Sequence, residues 1–473
     1  MPTSSHPIRT VAVLGFATLA YSLGQTLLVP ALPQLIRALH TNTADISWTL
    51  TAFFISVAVA SPILGKLGDM FGKRRMAVLA MGAYGVGALV AVATSNLWIV
   101  VVGRAIQGLG GTIVPLSFSL AGDLLPQRLR ARSVGLLSAT AAAGGSVAIV
   151  VGGVIADHIS WRWLFWASAI LAVSSMLALL SMPESPVRTG GRVDLRGAST
   201  LGVGLAVPLF GISRAASWGW GDPRTLGLLA GGVAILAGWV RLESRTDEPL
   251  ANIALLRSRP VLLTNAFSMV LGYVLIAGFV LVPQLAQVPR STGYGFGVGA
   301  VDAGLLLLPA TLGLMVVGPL SGSAGARFGN RTPMVAGALM AAVAFALLAA
   351  DHETRLVAML FTMLALAGGG FAFAASMNML LEAVPATQTG EATGFNSVVF
   401  RAGQALGTQV SGTLLAAGAV ASTGFPRDDG YTNAFIASAA VALAGTGLAF
   451  LIPATRSRGA GAGAPRSAES AGG

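Results

Sequence analysis

The chain is dominated by long apolar runs. A helix that crosses a bilayer takes about 20 mostly apolar residues. Fourteen stretches of this kind occur along the 473 residues. Inside lipid every backbone polar group must be paired within its own segment, and the runs lack the alternation of barrel strands. The sequence therefore predicts an all-α polytopic membrane protein with fourteen transmembrane helices, at approximately 10–30, 46–65, 76–94, 97–121, 134–155, 163–181, 198–213, 225–241, 261–282, 300–322, 333–350, 356–381, 391–420 and 432–453.

Composition limits the chemistry of such a bundle. Only 10% of the residues are charged, against about 25% in a soluble domain. The chain has no cysteine, so it has no disulfide, thiolate metal site or cysteine nucleophile. The glycine-rich stretches are followed by no Lys-Ser/Thr pair, which argues against a phosphate-binding loop. We expect no enzyme, no metal site and no cofactor, because the histidines also lie far apart, at His6, His40, His158 and His352.

Basic residues are distributed unevenly between the two sides of the predicted bundle. With the N-terminus placed inside, the inside segments carry 20 of the 29 Lys and Arg residues and the outside loops carry 7. This asymmetry follows the positive-inside rule and predicts that both termini are cytoplasmic. The excess of Ala and Gly over Lys is typical of a GC-rich bacterial genome, so we expect a bacterial cytoplasmic membrane. The net charge of +11 then reflects topology and predicts no nucleic-acid partner.

A ten-residue segment recurs in the two halves of the chain. Gly65-Lys-Leu-Gly-Asp-Met-Phe-Gly-Lys-Arg74 follows the second run, and Gly322-Ser-Ala-Gly-Ala-Arg-Phe-Gly-Asn-Arg331 follows the tenth, 257 residues later. Two homologous halves around a central axis are typical of transporters that bind substrate between the halves. The repeat predicts four regions: a six-helix half at 1–181, an inserted pair of helices at 182–259, a second six-helix half at 260–454 and a disordered tail at 455–473.

The first copy of the repeat has the residues of a conformational latch. Asp69 is placed to interact with a neighbouring helix N-terminus or with Arg74 and Arg75. Such charges at a seam between helices form in one conformation and separate in the other. The alternative is an ordinary inside loop whose basic residues only set the topology. Glycines within the segment allow helix ends to approach closely, at Gly65, Gly68 and Gly72.

These residues match a known family. Gly65-x-Leu-Gly-Asp69-x-x-Gly72-Lys-Arg-Arg75 resembles the signature loop of the major facilitator superfamily, and Arg104-x-x-Gln107-Gly108-x-Gly110 resembles its second motif. The resemblance implies alternating access. Three further stretches are similar to the fourteen-span drug:proton antiporters: Trp161-Arg-Trp-x-Phe165-Trp166, Asp194-x-x-Gly197, and the run with Pro385, Gly390, Gly394, Arg401, Gly403 and Gly407.

Resemblance to these antiporters implies the export of lipophilic, often cationic, small molecules in exchange for protons. The proton gradient would be the energy source, the lipid bilayer the surroundings, and a monomer the working unit. Two alternatives remain. The first is an exporter or facilitator of a single metabolite or self-made antibiotic, with weak or no proton coupling. The second is a membrane sensor or scaffold, which the absence of a soluble domain disfavours.

The chain departs from the antiporter pattern in two places. In the fifth run the usual central Gly-Pro is replaced by Ala148-Ile149, although the outer glycines Gly144, Gly152 and Gly153 are present. We expect these glycines to keep a packing face while the bend of this helix is weakened. In the first run no Asp occurs where relatives often have one.

Few ionisable residues are candidates for coupling. No acidic residue lies at the middle of a run; the nearest are Asp123, assigned to the inside charges, and Asp302, assigned to a helix N-terminus. Arg104 and Arg401 lie within runs, where a charge needs partners. For Arg104 we expect help from Gln107 and a place in the cavity, where it would sense or exchange charge with substrate or proton; the alternative is a structural role as donor to backbone carbonyls.

Candidate substrate contacts are aromatic, Met and amide side chains that share helix faces. Such side chains form a deformable apolar surface that suits varied ligands. The alternative for each is packing against lipid or another helix. The candidates are Tyr21 and Gln25 in the first run, Asn265, Met269 and Tyr273 in the ninth, and Phe371, Met377 and Asn378 in the twelfth.

Overall fold

The computed structural model describes residues 7–28, 31–41, 46, 48–188, 194–246, 249, 252–417 and 426–453. The tail at 455–473, for which we predict disorder, lies outside these residues. The long elements of the described chain are all helices: α1 (Pro7–Thr26), α2 (Leu32–Ala38), α3 (Trp48–Phe71), α4 (Lys73–Val92), α5 (Leu97–Gly108), α6 (Ile113–Leu124), α7 (Gln127–His158), α8 (Arg162–Leu180), α9 (Leu195–Trp218), α10 (Pro223–Glu243), α11 (Ile253–Leu256), α12 (Arg259–Gln287), α13 (Ala300–Leu305), α14 (Leu308–Phe328), α15 (Arg331–Ala350), α16 (Arg355–Ala383), α17 (Thr389–Ala417) and α18 (Asp428–Leu451).

Two of the predicted spans, α9 and α17, are less apolar than the others. Among the described residues, 12 spans are long and apolar enough to cross a membrane, with α5–α6 and α13–α14 each counted as one. In α9 only the part Arg196–Ile212 is apolar, and α17 is missing from the set. Length and composition therefore support an all-helical protein and twelve of the expected fourteen spans; the other two stay a prediction. The reason in α17 is the row of polar side chains at Asn396, Ser397, Arg401 and Gln404.

Gly72 and Gly329 occupy corresponding places in the two copies of the repeat. Gly72 lies between α3 and α4 with φ +117°, and Gly329 lies between α14 and α15 with φ +82°. These values favour glycine because other residues meet a steric penalty there. The same sharp turn between two helices is thus built twice. We call the end of the bundle that carries these two turns the loop end.

The two halves meet along two seams at the loop end. One seam is formed by α3 against α17 and the other by α7 against α14. At the first, a Cβ on Gly65 would lie 2.3 Å from the carbonyl oxygen of Gly390. At the second, a Cβ on Gly322 would lie 2.3 Å from the carbonyl oxygen of Ala131. Since Gly65 and Gly322 are equivalent in the repeat, both seams rely on direct backbone packing at the same position.

Replacing Gly65 with alanine is expected to force the first seam apart. The added methyl group must move a backbone carbonyl rather than a flexible side chain, which costs about 1–3 kcal/mol. We expect a lower melting temperature in detergent and reduced transport in vesicles. Gly122→Ala is the matched control, because a Cβ there has no heavy atom within 4 Å. Equal behaviour of the two variants would contradict the packing argument.

The inserted helices lie beside the first seam. Helices α9 and α10 pack on each other, and α9 also contacts α3 and α17. The pair therefore rests against both halves instead of extending from one of them. Asp194 begins α9 by accepting hydrogen bonds from the backbone N–H groups of Arg196 at 3.0 Å and Gly197 at 2.9 Å.

The fifth predicted span forms one long helix. Helix α7 runs for 32 residues through Ala148 and Ile149 without interruption. Near its middle, a Cβ on Gly144 would lie 2.7 Å from the Ser22 side chain, so α7 packs closely on α1 there. Gly152 and Gly153 lie further along the same helix.

Candidate functional site

Asp69 is held at the first seam by the opposite half of the chain. Its side chain is 1% exposed. The carboxylate accepts hydrogen bonds from the backbone N–H of Gly390 at 3.1 Å and of Glu391 at 2.9 Å. Both donors lie in the first turn of α17, where unpaired N–H groups and the helix dipole favour an anion. Asp69 therefore caps a helix of the other half across the seam.

Lys73 lies beside Asp69 and is completely buried. Its Nζ is 3.3 Å from Asp69 and 2.5 Å from Asp123, and it donates to the Thr389 hydroxyl at 2.7 Å. Asp123 also accepts from the Ser185 hydroxyl at 2.6 Å. One cation thus balances two carboxylates, and the N-terminus of α17 supplies the remaining positive potential. We call Asp69, Lys73, Asp123 and Thr389 the seam cluster.

Arg74 and Arg75 do not pair with Asp69, which was one of the two arrangements expected from the sequence. Their backbone N–H groups donate to the Glu184 carboxylate at 2.8 and 3.2 Å. The Arg74 guanidinium donates to the carbonyl of Met182 at 2.7 Å. These contacts are made with the segment that follows α8 and do not cross the seam. Asp69 pairs with the N-terminus of α17 and with Lys73 rather than with these arginines. Asp123 likewise pairs with Lys73 and not with the basic residues that follow it.

A second ion pair supports the seam cluster. Lys66 on α3 lies 3.4 Å from the Glu391 carboxylate on α17. Glu391 also accepts a hydrogen bond from the backbone N–H of Asn252 at 2.6 Å, just before α11. The first turn of α17 is therefore bound by two neighbours, α3 and the segment that leads into the second half.

At the second seam the positions equivalent to Asp69 and Lys73 carry no charge. Residues 326 and 330, which correspond to Asp69 and Lys73, are Ala and Asn. This seam instead has a hydrogen bond from Arg132 to the Ser323 hydroxyl at 3.2 Å. Asn378 approaches the carbonyl of Ala131 at 3.5 Å. The electrostatic contacts between the halves are consequently asymmetric and concentrate on α3 and α17.

A cavity of about 160 Å³ lies between the two halves. Its wall combines hydroxyl and amide groups with aromatic rings. The Phe373 and Phe400 ring centroids are 4.8 Å apart, and Phe118 lies 6.4 Å from Phe373. The polar part of the wall is formed by Tyr21, Ser22, Gln25, Ser138, Thr393, Asn396, Ser397, Arg401 and Gln404.

The structure separates the candidate substrate contacts into two groups. Tyr21, Gln25 and Met377 line the central cavity. The others have different surroundings. Asn265 accepts a hydrogen bond from Asn396 at 2.9 Å, Met269 is 40% exposed, and Tyr273 is buried in a core cluster of the second half. The carbonyl of Phe371 accepts a hydrogen bond from Ser321, and Asn378 lies at the second seam.

Arg104 is buried behind the cavity within the first half. Its guanidinium donates to the carbonyl of Thr49 and to the Gln107 side chain, each at 3.1 Å, and lies 4.1 Å from the Phe53 ring centroid. It is absent from the described wall of the central cavity. The expected place of Arg104 in the described cavity wall is therefore not found; its contacts fit the alternative role as a donor to a backbone carbonyl and tie α5 to α3.

Replacing Arg104 with methionine is expected to reduce stability more than substrate preference. The change leaves the Thr49 carbonyl and Gln107 without their charged donor, a loss of about 2 kcal/mol. We expect a lower melting temperature, with the relative affinities of different substrates retained in the folded fraction. A shifted substrate preference at unchanged stability would place Arg104 in the substrate path instead.

Asp302 lies away from this site. It occupies the first turn of α13 and is exposed. Several residues of the seam cluster and its surroundings were not singled out from the sequence, namely Lys73, Thr389, Glu391 and Glu184. For Lys73, the position four residues after Asp69 on consecutive helices was a usable signal. The contacts of Thr389 and Glu391 depend on the packing of one half against the other.

Two repeated helical halves, a cavity between them and a charged seam at one end define the architecture of a membrane transporter. The sequence pattern of the Major Facilitator Superfamily matches this chain over residues 14–321 and 289–470. The chain belongs to that superfamily, whose members are transporters rather than enzymes.

Individual relatives and structures agree with this family. The tetracenomycin C resistance and export protein of Streptomyces glaucescens is 28% identical over 87% of this chain and 76% of its own length. The multidrug resistance protein Stp of Mycobacterium tuberculosis is 26% identical over 87% of this chain and 76% of its own length. The structure of the proton:xylose symporter XylE bound to 6-bromo-6-deoxy-D-glucose superposes with a TM-score of 0.69 at 13% identity, covering 96% of this chain and 97% of that chain. At this identity the likeness concerns the fold.

Proposed function

We propose that this protein is a secondary active exporter of lipophilic small molecules in a bacterial cytoplasmic membrane. The observation that carries the proposal is the position of the seam cluster. It joins α3 of one half to α17 of the other at one end of a cavity that lies between them. The names of the two relatives, which describe resistance and export, support the outward direction of transport.

The loop end is proposed to face the cytoplasm, with both termini on that side. The basic residues of the inside segments support this orientation. The conformation described is then closed toward the cytoplasm, and its seam cluster must separate before substrate enters from inside. Alternating access would proceed by rocking of the two halves about the cavity.

We include α9 and α17 among the spans, which gives fourteen. Helix α9 has 24 residues and α17 has 29. At 1.5 Å per residue these are about 36 and 43 Å long, sufficient for a hydrocarbon core of about 30 Å. The polar side chains of α17 face the cavity wall, where they avoid lipid.

Exchange for protons is proposed to act through the seam cluster. Two buried carboxylates share one ammonium group there, and a protonated Asp69 would lose its charge-assisted bonds to the first turn of α17. Protonation would therefore favour opening of the loop end. The protein is proposed to work as a monomer, since each chain contains both halves of the cavity.

A second candidate function is transport of a single metabolite or self-made antibiotic without proton coupling. The described wall of the central cavity favours it, because this wall contains Arg401 and no Asp or Glu. Under this alternative the seam cluster opens and closes with substrate binding alone.

Both functions are tested with purified protein in sealed liposomes that carry an imposed pH gradient and an internal pH dye. Ethidium serves as the lipophilic cation, with a neutral lipophilic drug beside it. Substrate-dependent movement of protons supports antiport. Substrate movement without a proton signal supports the second candidate. Absence of movement for every compound, in protein that remains folded, would contradict the exporter.

A further inference from the structure

Arg401 is the charged side chain in the described wall of the central cavity. It lies on α17 and also lines a second cavity of about 290 Å³ between α3, α9, α12 and α17. Gln404, one turn further along α17, lines both cavities as well. A single guanidinium group thus stands where the two spaces adjoin.

The hydrogen-bonding capacity of Arg401 is mostly unused. One of its terminal nitrogens lies 3.2 Å from the Tyr21 hydroxyl. Its Nε is buried without a hydrogen-bond partner among the described residues. Within the same part of the chain Arg401 forms no ion pair with a carboxylate. A guanidinium placed within a membrane bundle is costly unless it is paired, so its position implies a partner that comes from outside the chain.

The surroundings of Arg401 increase the positive potential instead of reducing it. The Tyr21 ring stacks on Phe53 with centroids 6.1 Å apart, and the Arg104 guanidinium lies 4.1 Å from the Phe53 ring centroid. A second buried guanidinium therefore lies behind the same aromatic cluster. The two carboxylates of the seam cluster are already engaged by Lys73 and by the first turn of α17.

We propose that the central cavity binds planar aromatic compounds that carry an acidic group, and that Arg401 pairs with that group. A carboxylate, sulfonate or phenolate would accept the unused N–H donors of the guanidinium, which suits such oxyanions geometrically. Phe118, Phe373 and Phe400 would contact the aromatic part. The inference rests on the proposed exporter and narrows its lipophilic small molecules to aromatic acids.

Two probes with the same ring and opposite charges test this proposal. 2-Naphthalenesulfonate and 2-naphthylmethylammonium are equilibrated with the protein in nanodiscs, and binding to empty nanodiscs is subtracted. We expect the wild-type protein to bind the sulfonate at least about tenfold more tightly, as one charge-assisted hydrogen-bond pair suggests. Tighter binding of the ammonium compound, or binding of neither probe, would overturn the proposal.

Variants assign the preference to Arg401. Arg401→Gln is expected to remove the preference for the sulfonate, and Arg401→Lys to retain part of it. Tyr21→Phe keeps the aromatic volume but frees the terminal nitrogen of Arg401, so it is expected to preserve or strengthen sulfonate binding. Arg427→Gln, at an exposed arginine paired with Asp429, is the control. An unchanged preference in Arg401→Gln, or loss of sulfonate binding in Tyr21→Phe, would overturn the proposal.

The acidic substrate class and the exporter can fail independently of each other. If ethidium is transported while the sulfonate does not bind, the exporter stands and the acidic substrate class fails. If the sulfonate binds through Arg401 but no compound crosses the membrane, the class of ligand stands and the exporter fails.

Discussion

Lys73→Met is expected to destabilise the protein by about 3–5 kcal/mol, the largest effect of any single substitution considered for the seam cluster. The substitution keeps an unbranched apolar stem but removes the side-chain cation that lies within 4.0 Å of both Asp69 and Asp123. Two buried carboxylates then remain close together without a counter-charge. We expect a strongly lowered melting temperature and loss of transport.

A second substitution distinguishes charge from packing in this cluster. Lys73→Met combined with Asp123→Asn leaves a single carboxylate, which the N-terminus of α17 can still stabilise. We expect this pair to recover much of the stability that Lys73→Met alone loses. Arg128→Gln, at an exposed position on α7, serves as the control for loss of one positive charge. Failure of the second substitution to restore stability would show that the Lys73 side chain acts by packing.

Asp69→Asn is expected to reduce the transport rate by at least about tenfold, equivalent to about 1.4 kcal/mol. The amide oxygen can still accept one of the two backbone N–H bonds from Gly390 and Glu391. Its NH₂ group, however, meets the other donor, so the cap on α17 loses its charge and one acceptor. Membrane insertion is expected to continue, since the apolar spans are unchanged. Transport rate per folded molecule is the measurement.

Glu184→Gln is the matched control for this change. Glu184 also accepts two backbone N–H bonds at the start of a helix, from Arg74 and Arg75, but it lies just after α8 and these bonds do not cross the seam. If capping across the seam is what matters, Glu184→Gln lowers stability while transport per folded molecule continues. Equal loss of transport in the two variants would remove the special role of Asp69.

The sequence was sufficient for the fold because its signals are local or repeated. The apolar runs determine the helices, and Gly72 and Gly329 mark the same turn in both halves. Length and composition support only twelve of the fourteen predicted spans, because α17 carries its polar row toward the cavity and α9 is apolar only in part. A count of apolar residues cannot tell a polar cavity wall from a loop.

The site was only partly predictable because its contacts join distant segments. Asp69 was identified from its motif, but its two donors lie more than 300 residues later, at a separation of 321 for Gly390. Tyr21 meets Arg401 across the cavity at a separation of 380 residues. Neither pairing follows from spacing within a helix. Arg401 has no carboxylate beside it in the described cavity wall, because the packing of the helices places the acidic side chains elsewhere.

The central claim is that the seam cluster controls access to the cavity from the loop end. The chain has no cysteine, so spin labels can be placed without prior substitutions. Arg128→Cys on α7 and Arg327→Cys on α14 place one label on each half, at exposed positions of the loop end. Distances between these labels in nanodiscs, measured by pulsed electron spin resonance, compare the wild-type protein with Asp69→Asn. The account predicts one short distance in the wild-type protein and an added longer distance in Asp69→Asn. Identical distance distributions in the two proteins would contradict it.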